Sequence, residues 1–146
     1  MKAPVLKTKT KYFFLGILTT MMIFSFVSCS PKVVFLTSTV VPAANGYVKV
    51  KKDHNNNYVI QLEISTLAGV EKLQPAKQTY IVWMVTDDGI NKNLGRVHSS
   101  NKLKVSFETV SSSRPVQIFL TAEENESAQY PGDQIVLSTG KFWDKQ

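Results

Sequence analysis

One cysteine, Cys29, and two histidines, His54 and His98, stand among 146 residues. A single thiol cannot close an intramolecular disulfide, and these three side chains are too few for a zinc ribbon. The seven glycines build no Gly-rich phosphate cradle. Acidic residues are missing from the first 28 positions, which hold Lys2, Lys7, Lys9 and Lys11. The formal charge of +6 therefore comes mostly from that stretch: seventeen basic residues less these four leave thirteen against eleven acidic ones, a net +2. A near-neutral body lacks the basic stripe that nucleic acid requires, so no nucleic-acid partner is expected. The length suits one modest domain and is too short for two.

After the lysines come sixteen mostly apolar residues, Tyr12 to Val27. A helix crossing the hydrocarbon core needs roughly 20 apolar residues, whereas the apolar stretch of an export signal is shorter and ends in small residues. Here it ends at Ser28-Cys29-Ser30-Pro31. The tetrad Phe26-Val27-Ser28-Cys29 resembles a bacterial lipobox, with Phe26 in place of the usual Leu. The resemblance implies cleavage between Ser28 and Cys29 and attachment of lipid to the Cys29 sulfur. The lone thiol suits that chemistry, since two or more acyl chains hold a protein firmly while one binds only marginally. The alternative is an uncleaved anchor helix in which Cys29 is incidental. Expected, then, are a signal peptide at 1–28, a lipidated tether at 29–32 and a folded domain at 33–146, outside the cytoplasm and joined to a membrane through the lipid. In lipoproteins of two-membrane bacteria a Ser after the cysteine, as Ser30 is here, accompanies transfer to the outer membrane, which implies a periplasm-facing protein.

Past the tether the apolar period is two, with short segments between turn residues, which predicts an all-β antiparallel sandwich of immunoglobulin-like size and seven to nine strands. Tyr58, Ile60, Leu62 and Ile64 alternate with Val59, Gln61, Glu63 and Ser65. Leu103, Val105 and Phe107 repeat the rhythm, as do Val116, Ile118, Leu120 and Ala122 against Gln117, Phe119, Thr121 and Glu123. Thr79 to Thr86 is apolar on both faces and reads as the central strand, with Trp83 a core aromatic in preference to a ligand-stacking one. Further strands are expected at 33–41, 47–51, 94–98, 134–138 and 141–143. Asp53 to Asn57 and Asp87-Asp88-Gly89 read as hairpin turns. The stretch 66–78 reads as a crossover, with a helical turn or two between Leu67 and Leu73 that Pro75 stops.

Chemistry is sparse. His54 falls in a polar loop and His98 at a strand end, both better read as solvated than catalytic. No Gly-x-Ser-x-Gly nucleophile elbow is present, and Ser111-Ser112-Ser113 reads as a linker. Asp87 with Asp88, and Glu123, Glu124 and Glu126, match no calcium loop and read as turn and solvated-loop residues. No enzyme, cofactor or metal is expected. Charge pointing outward from an edge strand explains Lys49, Lys51 and Lys52 more simply than contact with anionic lipid or polysaccharide.

One run of motifs resembles the extracytoplasmic domain of the anti-sigma-K factor family. It comprises Tyr80-Ile81-Val82-Trp83-Met84, Asp88-Gly89, Asn93-Leu94-Gly95, Phe119-Leu120-Thr121-Ala122-Glu123 and Tyr130-Pro131-Gly132-Asp133-Gln134-Ile135-Val136-Leu137. The resemblance covers about half of the mature chain, from Tyr80 to Gly140, and implies an envelope sandwich that senses or scaffolds. Only eleven residues precede the apolar run, too few to hold a sigma factor, so no sigma-factor partner is carried over. The expected function is a non-enzymatic, lipid-anchored protein-interaction, sensing or scaffold module that meets an envelope protein. The alternative is a glycan- or peptidoglycan-binding sandwich whose rings Tyr47, Tyr130 and Trp143 stack on sugars.

Overall fold

The computed structural model describes residues 32–99 and 104–143. The expected leader, Ser28, Cys29 and Leu103 lie outside the described residues. Eight strands follow in order: β1 (Lys32–Val34), β2 (Asn45–Lys52), β3 (Tyr58–Ser65), β4 (Thr79–Thr86), β5 (Asn91–Val97), β6 (Lys104–Ser111), β7 (Pro115–Glu123) and β8 (Ile135–Ser138). They form two four-stranded antiparallel sheets, β1-β2-β3-β6 and β5-β4-β7-β8, packed as a β-sandwich. The stretch expected as a strand over 141–143 is a turn instead. The first expected strand is cut short after Val34 because Phe35 moves between sheets. Its N–H donates to Gly46 O at 3.0 Å in the first sheet, and it bridges Thr139 beside the second.

Alternation positions the core. Val48, Ile60, Leu62 and Ile64 from the first sheet pack against Tyr80, Val82, Met84, Ile118, Leu120 and Leu137 from the second. Each such burial is worth about 1.5–3 kcal/mol of transfer free energy. Tyr80 keeps its polar end paired, its hydroxyl donating to Ala68 O at 2.9 Å. Burial, with help from Glu71, pushes its pKa up to about 12. The crossover contains a single 3-10 turn, Val70–Lys72, in place of the helical turn or two expected.

Both hairpin turns form where the sequence placed them. In the first, the Asp53 carboxylate accepts the N–H groups of Asn55 and Asn57, each at 2.8 Å, and Asn56 takes φ 63°. Burial opposes ionisation of Asp53, yet the Asn57 and Asn55 donors and His54 outweigh it and hold its pKa below the ordinary carboxylate value. In the second, Gly89 takes φ 78°.

The outer face of the second sheet departs from the alternation pattern. Trp83 is fully buried, but it lies outside the inter-sheet core, in a separate cluster with Ile81 and Phe119. Phe119, Thr121 and Glu123, expected on a mostly wet face, are buried too. The physical reason is the β7–β8 segment, which straps this face. Ala128 packs on the cluster, its carbonyl accepts Asn93 Nδ2 at 3.0 Å, and Glu126 pairs with Arg96 on β5. A polar chain pins the strap: Trp83 Nε1–H donates to Thr121 Oγ1 at 2.8 Å, the Thr121 hydroxyl donates to Glu123, and Gly132 N–H donates to Glu123 Oε1 at 2.8 Å. Glu123 is therefore a buried hydrogen-bond acceptor rather than a solvated loop acid, and its burial is compensated by these two donors.

The edge explanation for the lysines fails in part. β2 is interior, between β1 and β3, and Lys49 pairs with Lys32. Among the described residues, only Val50 to Lys52 run past the start of β1.

Candidate functional site

The sandwich has two unlike ends. The β2–β3, β4–β5 and β6–β7 turns share one, since Tyr58 pairs with Ser111 and Thr86 with Pro115. The crossover and the β7–β8 segment occupy the other, where Ser65 pairs with Lys104 and Thr79 with Glu123.

The three aromatic residues singled out as ligand contacts do not share a face. Tyr47 is half-buried on the outer face of the first sheet, with the ammonium groups of Lys32 and Lys49 at 4.5 and 5.4 Å from its ring centroid. Hydrogen bonding to Glu63, then burial and the Glu63 charge, raise the pKa of its hydroxyl. Tyr130 is 84% exposed in the β7–β8 segment. Trp143 is 43% exposed at the turn end, its Nε1–H donating to Pro115 O at 2.6 Å. A flat sugar platform made of these three rings is not assembled.

Trp143 does have an aromatic neighbour in its cavity that the sequence reading missed. A slot of about 360 Å³ at the turn end is lined by Val50, Lys51, Lys52, Tyr58, Arg114 and Trp143. The Arg114 guanidinium lies 4.7 Å from the Trp143 ring centroid, and Lys52 Nζ lies 5.3 Å from that of Tyr58. Cations so placed are held by the ring quadrupole while their other faces stay open to an anion. Tyr58 reads from the sequence as an ordinary member of the buried face, and Arg114 follows the Ser111-Ser112-Ser113 linker. Only the β3–β6 register, which sets Tyr58 opposite Ser111, brings Arg114 to that slot.

At the other end an open cleft of about 900 Å³ lies between the crossover and the β7–β8 segment, with Lys72, Lys77, Glu123, Asp133 and Gln134 among its walls. Two of these four charges are engaged. Lys77 Nζ pairs with Glu124 at 2.9 Å, and Glu123 serves the strap. Gln134 Oε1 is buried with no hydrogen-bond partner. The two histidines do not meet: His54 is in the β2–β3 turn and His98 follows β5 at the opposite end. Exposed Asp88 accepts the Thr86 hydroxyl, and this bond, acting against some loss of hydration and aided by nearby N–H groups and Lys92, holds its pKa below the ordinary value. Among the described residues no three His, Cys, Asp or Glu side chains converge as a metal site requires.

The motifs quoted for the resemblance fall on β4, its hairpin, β5, β7, the strap and β8. Gly95 has φ +138°, and a Cβ built there would lie 3.1 Å from the Phe107 ring, so this position needs a residue without a side chain. Compared with family models, with curated proteins and with solved structures, the chain gives no match in any of the three.

Proposed function

We propose that this protein is a lipid-anchored, non-enzymatic module of the bacterial cell envelope, attached through Cys29 and acting by contact with another envelope protein in sensing or scaffolding. The observation that carries the reading is the spacing between the lone cysteine and the fold: β1 begins at Lys32, three positions after Cys29. A lipid on Cys29 would therefore hold the domain within a few residues' reach of a bilayer surface. The lipobox-like tetrad supplies the chemistry of attachment, and Ser30 favours the periplasmic face of an outer membrane.

The non-enzymatic part rests on how the polar side chains are used. Asp53 and Asp88 build turns, Glu123 pins the strap, and Glu124 and Glu126 pair with Lys77 and Arg96. The resemblance to the anti-sigma-K extracytoplasmic domain supports sensing or scaffolding over sugar binding, and the dispersal of Tyr47, Tyr130 and Trp143 weakens the glycan alternative.

Fractionation of cells expressing the Cys29→Ala variant tests the reading. The wild-type protein is expected in the membrane fraction and the variant in the soluble envelope fraction. Tight membrane retention of the variant in high salt would instead mean an uncleaved helix holds it.

A further inference from the structure

We infer that the turn end of the sandwich, through its Lys51–Lys52–Tyr58–Arg114–Trp143 slot, docks on the anionic phospholipid headgroups of the same bilayer that carries the anchor. The inference rests on the membrane attachment proposed above and adds an orientation to it.

Direction and reach come first. β1 runs antiparallel to β2, pairing Lys32 with Lys49 and Val34 with Tyr47. Lys32, the first described residue, therefore lies at the end of β1 next to Val50, Lys51 and Lys52, the turn end. Three residues span at most about 11 Å even when fully extended. A lipid on Cys29 would therefore hold Lys32, and with it the turn end, within that reach of the headgroups.

Charge and chemistry come second. The slot carries three cations and no carboxylate in its walls. The two ion pairs among the described residues, Lys77 with Glu124 and Arg96 with Glu126, involve none of its cations. Lys92, which donates to Ser113 Oγ at 2.6 Å beside Arg114, adds a fourth positive charge nearby. The carboxylates at this end, Asp53, Asp87 and Asp88, keep their negative charges but sit in the β2–β3 and β4–β5 turns and not in the walls of the slot. Asp144 and Lys145 follow in sequence with opposite charges. Trp143, 43% exposed, is the ring this end offers to the depth of headgroups that aromatic side chains prefer, while Tyr58 packs partly on the core behind the slot. Lysine and arginine close to an anionic leaflet each add to binding within a Debye length. A cation already parked on a ring loses less freedom when a phosphate arrives. Docked in this way, the sandwich stands on its turns, and the 900 Å³ cleft at the other end faces away from the membrane.

The protein carries its own probe. Its two tryptophans differ sharply, Trp83 fully buried and Trp143 43% exposed, so collisional quenching by acrylamide reads Trp143 while the emission of Trp83 reports folding. The full protein, purified from membranes with its attachment intact, is reconstituted in vesicles of phosphatidylcholine alone or with one-third phosphatidylglycerol. In the mixed vesicles Trp143 is expected to be shielded from acrylamide and quenched by brominated lipid, and both effects should fade in high salt. Lys51→Gln, Lys52→Gln and Arg114→Gln combined should lower the docked population on the order of a hundredfold, at roughly a fivefold loss per cation. That variant should still float with the vesicles and keep the Trp83 emission. Equal quenching in both vesicle types, with the protein afloat, overturns the docking and leaves the attachment standing. Failure to float on neutral vesicles overturns the attachment and the docking with it. Shielding by inorganic phosphate or a soluble anionic polysaccharide, with none from phosphatidylglycerol, would mean the slot takes a soluble ligand and would also refute the docking.

Discussion

Replacing Trp83 by Ala is expected to cost about 3–5 kcal/mol of folding stability, the range for deleting a large buried aromatic. Against a total of about 5–15 kcal/mol for a domain, that is enough to leave the variant marginal. Two losses combine. The indole ring stacks on Phe119 with centroids 6.5 Å apart and 17° between planes, and its removal leaves a void beneath the strap. Its N–H is also the donor that begins the Thr121–Glu123–Gly132 chain. Trp83→Phe restores most of the packing and removes only the donor, so it should cost about 1–2 kcal/mol. Urea denaturation followed by circular dichroism separates the two variants. Unchanged stability of the Ala variant would mean that the strap does not depend on the ring.

Gly46→Ala should be nearly as damaging for a different reason. Gly46 lies opposite Ile64 in the β2–β3 ladder, and a Cβ built on it would sit 2.1 Å from Glu63 O and 2.9 Å from Ile64 Cα. Both are backbone atoms, so no rotamer change relieves the clash and the strands must separate locally. Gly46 O also accepts the Phe35 N–H at the point where the chain passes between sheets. A loss of about 3 kcal/mol is expected, the upper end for overpacking. Gly140→Ala is the control, because nothing lies within 4 Å of a Cβ built there, and it should stay within about 0.5 kcal/mol of wild type. Equal melting temperatures for the two variants would mean that β2 and β3 do not approach so closely at Gly46.

Strands were legible wherever one face packs and the other meets water. The period-two run from Tyr58 to Ser65 became β3, with Ile60, Leu62 and Ile64 buried. The doubly apolar Thr79 to Thr86 became β4, which sits between β5 and β7. The pattern misled on β7, where Gln117, Phe119, Thr121 and Glu123 alternate like a wet face. Alternation reports the local environment of a sheet and is blind to a distant segment that folds back over it. The signal for the strap was at most indirect: a buried-size Trp83 and Phe119 on the face opposite the main core. The aromatic–cationic slot was illegible for a related reason. Its members come from β2, β3, the β6–β7 turn and the C-terminal turn, and only long-range pairing brings them together. By contrast, Cys29 stood out because it is the lone cysteine, and its environment lies outside the described residues.

The intact mass of the protein extracted from native membranes tests the central claim most directly. A chain that begins at Cys29 and carries a diacylglyceryl group with a further acyl chain is the expected result. A polypeptide that still begins at Met1 with an unmodified Cys29 thiol would contradict the account, removing both the anchor and the orientation built on it.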